Sequence, residues 1–327
     1  MRLLSQTASH TQMLGPGLTR RALVLAGVPH LLARATQRSK FVIAHRGASA
    51  YAPENTLAAY RLAVEQGADF VEQDLQITRD GVLVCLHDRT LERTTDVATV
   101  FADRARTESA AGHTVRQWLV HDFNLDELRQ LDAGSWFDSK FRGERIPTWD
   151  EAIQTLRGRA GLYPELKDPE HYAALGYSME ELVWETLCRH RLQEPGADPK
   201  TPVVIQSFSD RALRNLRKLG CRLPLTLLIG RSNAERWLSQ SGMREIRSFA
   251  EAIGPEKTLL LERRDVVARA HALGLTVVPY TFRSTATGKF PDVRSEMAYF
   301  LFNLRVDGLF TDNPDLFPRS SGAYAGQ

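Results

Sequence analysis

Eight short β-prone runs, spaced by stretches of helical periodicity, constrain this chain more than any other feature. They are read at 41–44, 70–76, 82–87, 162–166, 203–207, 225–229, 276–281 and 307–311. Strands that alternate with helices form βαβ units, which pair in parallel and carry helices on their faces. Eight is the number that closes a parallel barrel. The intervening helices show in period and caps. In "NTLAAYRLAVEQGAD", Leu57, Tyr60 and Val64 share a stripe, with Asn55 as a candidate cap and Gly67 as terminator. "SDRALRNLRKLG" repeats that logic, with Ser209 as cap, Leu213 and Leu216 inward and Gly220 at the end. An open doubly wound sheet is the rival architecture, but no strand is followed by a G-x-G-x-x-G turn. The expected fold is therefore α/β, a (β/α)8 barrel of the TIM type. About 60 residues between His87 and a helix near Trp149 exceed the roughly 2–6 of an ordinary βα loop. They predict a small insertion after the third strand, at about 89–146, over one end of a barrel that occupies 36–327. The stretch 230–257 reads as irregular.

The polar residues of these runs cluster at strand ends. His45 follows strand one, Glu72 and Asp74 end strand two, His87 and Asp88 end strand three, and Glu165 and Lys167 end strand four. Gln206 ends strand five, and Tyr280 and Arg283 end strand seven. In a (β/α)8 barrel the carboxyl ends of the strands form the face where sites are built. Glu72 and Asp74, two apart on a strand, point to the same side. With Glu165 they supply three hard oxygen donors, a set suited to Ca²⁺ or Mg²⁺ and poor for zinc. The alternative is that these acids only form salt bridges with Arg46 and Lys167. His45 and His87 can serve as base and acid, because imidazoles titrate near neutrality. A cation, Arg46 and Lys167 around one cavity describe a site for a phosphoryl group. The remaining histidines of the body, His113, His121, His171, His190 and His271, read as surface residues.

The formal charge of +3 falls to −1 without the four arginines Arg2, Arg20, Arg21 and Arg34, so the body presents no compositional case for a nucleic-acid partner. Those arginines sit in an acid-free leader, 1–35, where a twin arginine precedes a modest apolar run and an Ala33-x-Ala35 pattern. The leader reads as an export signal, with an organellar transit peptide as the rival. Gly27, Pro29 and His30 interrupt the run, which excludes stable membrane insertion there. Cys85, Cys188 and Cys221 are too scattered for a disulfide framework or a zinc site.

"AHRGASAYAPENTLAAY", "GADFVEQDLQITRDGVLVCLHDRTLERTTDV", "YPELK", "PYTFRS" and "DGLFTDNPD" together resemble the glycerophosphodiester phosphodiesterase family over about 41–317. "TTDVATVFADRAR" and "AIGPEKTLLLE" are similar to its exported bacterial members, which implies a periplasmic or secreted enzyme. The resemblance implies a (β/α)8 barrel and metal-dependent hydrolysis of small-molecule glycerophosphodiesters to sn-glycerol 3-phosphate and an alcohol. It implies His45 and His87 as the catalytic pair and Glu72, Asp74 and Glu165 as ligands of one divalent cation, Ca²⁺ before Mg²⁺. It further implies phosphate contacts from Arg46 and Lys167, and Gln206, Tyr280 and Arg283 complete the expected substrate site. Two other readings compete. One is a phospholipase D-like or inositol-phosphodiester hydrolase on the same barrel, with Trp136, Phe137 and Phe141 as a candidate lipid-facing surface. The other is a non-catalytic binding protein.

Overall fold

The computed structural model describes residues 40–110 and 113–320, so the leader reading at 1–35 lies outside the described residues. Eight strands run parallel: β1 (Phe41–Ala44), β2 (Phe70–Ile77), β6 (Gly161–Leu166), β7 (Ile205–Ser207), β8 (Leu225–Ile229), β9 (Ala252–Pro255), β10 (Thr276–Val277) and β11 (Gly308–Thr311). Between β2 and β6 the chain adds β3 (Leu83–Cys85), β4 (Arg106–Ala110) and β5 (His113–Gln117). The parallel strands follow one another in the order β10, β9, β8, β7, β6, β2, β1, β11. The ring is closed across β10 and β11 by Asp307 N–H donating to Val277 O (3.0 Å) and Phe310 N–H to Pro279 O (3.1 Å).

The eight strands are not the eight expected. The run at 82–87 contributes β3, which pairs antiparallel with β2 in the register Leu75 to Cys85 and Ile77 to Leu83. Only five residues separate Ile77 from Leu83, enough for a hairpin and too few for a parallel crossover. "TRDG" is the turn, with Gly81 at φ +79°. The insertion thus follows the third strand in chain order but lies between the second and third strands of the barrel. The missing barrel strand is β9, inside the stretch read as irregular. Its sequence, AIGP, holds two residues that weaken any strand reading. Gly254 is needed there because a Cβ would approach the Leu228 side chain to 2.7 Å.

All residues of β1, β6, β8, β9 and β11 are buried, as expected of parallel strands covered on both faces. Inside the barrel, Phe41, Phe70, Tyr163 and Phe310 form an edge-to-face chain with ring centroids 5.2–5.7 Å apart. Burying each aromatic contributes roughly 1.5–3 kcal/mol. This aromatic chain starts at Phe41 and Phe70, the first residues of their strands, and reaches Phe310 at the level where the polar side chains begin. The insertion has its own apolar cluster, in which Leu91, Val97, Val120, Phe123 and Leu128 are fully buried. Trp136, Phe137 and Phe141 pack edge-on against one another, with Trp136 39% exposed. No helix of the described residues is long and apolar enough to cross a membrane.

Candidate active site

The loop after β1 turns sharply, and two non-glycine residues pay for the turn in left-handed backbone, Arg46 at φ 57° and Asn55 at φ 56°. Arg46 O accepts from Asn55 N–H (3.0 Å), and Arg46 N–H donates to Glu72 Oε2 (3.1 Å). Gly47, at φ +86°, lets the backbone pass the following helix, since a Cβ there would lie 2.7 Å from Ala59. That helix, Leu57–Glu65, is capped by Thr56, whose hydroxyl accepts from Ala59 N–H (3.2 Å). The cap expected at Asn55 is therefore one residue off. Asn55 instead donates to Asp74 Oδ2 (2.8 Å) and accepts from the Tyr60 hydroxyl (2.9 Å), fixing a site carboxylate. Ser209 caps its helix as expected, accepting from Ala212 N–H.

Register brings the acids together. Asp74 on β2 pairs with Glu165 on β6, which pairs with Gln206 on β7, so the three stand at one level of the barrel. Glu72, Asp74 and Glu165 are at most 5% exposed, and one carboxylate oxygen from each lies within 4.8 Å of the others. Lys167 Nζ approaches Glu165 (3.0 Å) and Asp74 (3.8 Å). Arg46 Nε forms an ion pair with Asp74 (3.2 Å) without hydrogen-bond alignment. Three buried negative charges meet two positive ones. Burial and the neighbouring Asp74 and Glu165 push the Glu72 carboxyl well up, and burial raises Glu165. Burial also opposes ionisation of Asp74, but Lys167 and Arg46 outweigh it and hold Asp74 low.

A divalent cation fits these residues. Ionising Glu72 together with Asp74 and Glu165 calls for a further positive charge in this buried site of hard oxygen donors. Gln206 adds a buried Oε1 that has no hydrogen-bond partner, while its Nε2 donates to Glu72 (2.7 Å). Both alternatives at the acids hold together, because the salt bridges and the cation-ready cluster use the same carboxylates.

His45 is 8% exposed and projects from the end of β1, with Nδ1 2.7 Å from Asp312 Oδ1 and Nε2 3.7 Å from Glu72. About a third of the His87 side chain is exposed, and its Nδ1 lies 2.6 Å from Asp88 Oδ1. A carboxylate at Nδ1 fixes the tautomer and turns Nε2 toward the cavity. One cavity of about 220 Å³ is lined by His45, Arg46, Glu72, His87, Glu165, Lys167, Gln206, Tyr280 and Arg283. It thus gathers every predicted site residue except Asp74, which lies 1% exposed beneath them. Phe208 and Phe310 add apolar wall. A wider groove of about 640 Å³ opens on the His87 side, past Arg89, Asp168 and Glu170. An apolar cavity of about 450 Å³ at the opposite, amino-terminal end of the strands, beside Phe41 and Phe70, contains none of the site residues. Convergent polar groups, not size, mark the site.

A family model described as "Glycerophosphoryl diester phosphodiesterase family" matches residues 45–316. The chain belongs to that family. The glycerophosphodiester phosphodiesterase of Bacillus subtilis (strain 168) is 32% identical over 290 residues, covering 86% of each chain. A glycerophosphodiester phosphodiesterase of Arabidopsis thaliana is 34% identical over 323 residues, again 86% of each. Among solved structures, an Oleispira antarctica phosphodiesterase in complex with its product sn-glycerol-3-phosphate superposes with a TM-score of 0.67 at 29% identity, over 86% of this chain and 96% of that one. The protein is accordingly a glycerophosphodiester phosphodiesterase on a TIM barrel, a phosphoric diester hydrolase with a cluster of acids for a divalent metal.

For a glycerophosphodiester phosphodiesterase the structure adds residues that reading the sequence did not assign. Asp312 and Asp88 support the two histidines and Asn55 holds Asp74; Glu54, for which the sequence leaves open a tether through Arg46 or an outer approach to the cation, ties Arg46 (Nη1 to Oε1, 2.9 Å) to Arg93. Asp312 had a signal, as a polar residue just past a buried strand. Asp88 shared that signal beside His87, whereas Asn55 and Arg93 depend on loop geometry. Of the histidines read as surface, His271 is exposed as expected, His171 and His190 are partly buried, and His121 is buried. His121 is 8% exposed with its ring 5.0 Å from that of His171, His190 meets Asp150 at 2.6 Å and His271 meets Asp307 at 2.9 Å. The side chain of His113 lies outside the described residues.

Proposed function

We propose that the enzyme cleaves glycerophosphodiesters with His45 as general base and His87 as general acid, releasing sn-glycerol 3-phosphate. The observation that carries this reading is that two carboxylate-supported imidazoles line one cavity together with Glu72 and Glu165 of the acid cluster. Arg46 and Lys167 bind the phosphoryl oxygens, and Gln206, Tyr280 and Arg283 complete the wall around the glycerol. His45, buried and held by Asp312, takes the proton of the attacking water, or of a substrate glycerol hydroxyl whose cyclic phosphate water then opens. His87 faces the wider groove, where an alcohol of variable size fits, and returns a proton to its oxygen. A divalent cation held by Glu72, Asp74 and Glu165 supplies Lewis-acid polarisation of the phosphoryl group. The all-oxygen donor set favours Ca²⁺, then Mg²⁺. The twin arginine and Ala33-x-Ala35 of the leader support export to the periplasm, with organellar targeting the alternative, and amino-terminal sequencing of the mature protein decides between them.

A panel of glycerophosphodiesters assayed after EDTA treatment, with Ca²⁺ or Mg²⁺ restored singly, tests the reading. Hydrolysis is expected to vanish with chelation and to return with Ca²⁺ most fully. Turnover that ignores both chelator and metal would sink the metal role.

A further inference from the structure

We propose, resting on the functional reading above, that Arg93 is a positioning residue through which the insertion holds the leaving-group histidine and the phosphate-binding arginine in one frame. Arg93 lies outside the catalytic cavity and touches neither histidine. Its guanidinium nevertheless closes a chain of contacts from one side of the site to the other. Nε donates to Asp88 Oδ2, while Nη1 and Nη2 donate to the two oxygens of Glu54 at 3.0 and 2.7 Å. Asp88 holds His87 Nδ1 with its other oxygen, and Glu54 holds Arg46 Nη1. Arg46 in turn pairs with Asp74.

A planar fork is required for this. Two carboxylates approach along two edges of one guanidinium, and a compact ammonium can serve only one of them well. The anchor behind the fork is rigid. Leu91 and Val97 flank Arg93 in sequence and are fully buried in the insertion's apolar cluster. Leu91 N–H donates to Trp118 O (2.9 Å), and the Thr95 hydroxyl donates to Leu91 O (2.7 Å). The backbone of Arg93 therefore belongs to the insertion while its side chain belongs to the rim. Burial alone would raise the Glu54 carboxyl, but Arg93 and Arg46 together hold it below its ordinary range and keep it ionised. The insertion thus reaches the site as well as holding its own apolar cluster. It sets the distance between the group that protonates the alcohol and the group that binds the phosphate.

A plain surface ion pair would behave differently, since half-exposed pairs contribute little to stability. In the full chain loaded with Ca²⁺ and assayed on glycerophosphocholine, Arg93→Gln is expected to lower kcat about 10- to 100-fold, the loss typical of a supporting contact. Its thermal midpoint should stay within about 4 °C of the wild type. Arg93→Lys should recover only part of kcat, and added ethylguanidinium should raise the rate of Arg93→Gly about tenfold or more. Kinetic constants of Arg93→Gln within about threefold of the wild type would overturn the proposal, as would a loss that follows unfolding and resists guanidinium rescue. If Arg93→Gln does not fold, Arg93→Lys decides, and full activity in that variant overturns the frame. A wild-type enzyme inert on every glycerophosphodiester would instead sink the functional reading, so the two failures are distinct.

Discussion

The two histidines of the site stand in unlike regions of the molecule. His45 ends a barrel strand, is 8% exposed and is held by Asp312 from the end of the neighbouring strand β11. His87 ends a hairpin strand at the edge of the insertion, with about a third of its side chain exposed, and is held by its own sequence neighbour Asp88. The first is positioned by the closed sheet, and the second by a loop and an arginine from the insertion. The difference suits the tasks proposed for them. A base must meet a nucleophile in a fixed, dry place, whereas the acid must follow alcohols of varied size at an open groove.

The largest test of this contrast uses the leaving group. His45→Ala and His87→Ala should each cost about 10²–10⁴ in kcat on an alkyl glycerophosphodiester. With a p-nitrophenol leaving group, which departs without a proton, His87→Ala should recover most of its loss and His45→Ala none. Equal recovery in both variants, or recovery by His45→Ala alone, would reverse the assignment of base and acid.

A smaller effect concerns the acid limb of the pH–rate profile. Burial lowers the His45 pKa, Arg46 lowers it further, and Asp312 works in the opposite direction. As the proposed base His45 is active when neutral, so a lowered pKa preserves activity toward acid. The acid limb of kcat/KM is expected below the ordinary imidazole value of about 6.5. Asp312→Asn removes the opposing charge and should move that limb further down while costing about 10- to 100-fold in rate. A limb that moves up in Asp312→Asn would show that another group controls it.

How much of this was legible before the structure follows from which contacts are local. Glu72 and Asp74 share a strand face by alternation, and His45 and Glu165 mark strand ends, so the cluster could be read from period and motif. The direction of β3 could not be read from its apolar pattern, because buried strands look alike in either sense. The five-residue turn before it carried the information. β9 was hidden because Gly254 and Pro255 serve packing and chain exit, at the expense of strand propensity. Asn55 looked like a cap because its residue type favours caps, and a tertiary partner, Asp74, claimed it instead. Arg93 bridges Glu54, 39 positions away, and no spacing rule reaches that far.

The smallest effect probes whether the insertion holds its shape apart from the barrel. Asp132 ties the loop around Trp136 by accepting from the backbone N–H groups of Gly134, Ser135 and Gly143 at 2.8–3.0 Å. Burial would raise its carboxyl, but those donors prevail and draw it down to about 2. An unfolded Asp titrates near about 3.9, so the folded form binds the proton less readily. The stability from this group is therefore full above about pH 4 and lost as pH falls through about 2. Asp132→Asn should cost about 1–2 kcal/mol at neutral pH and flatten the loss of stability between about pH 4 and pH 2. Turnover should stay within about threefold of the wild type, because Arg93 is anchored by Leu91 and Val97 elsewhere in the insertion. Hydrogen exchange should quicken in 133–145 and leave the barrel strands unchanged. A matching collapse of kcat would mean that the insertion acts on His87 as one rigid piece, and that its core alone does not fix the rim.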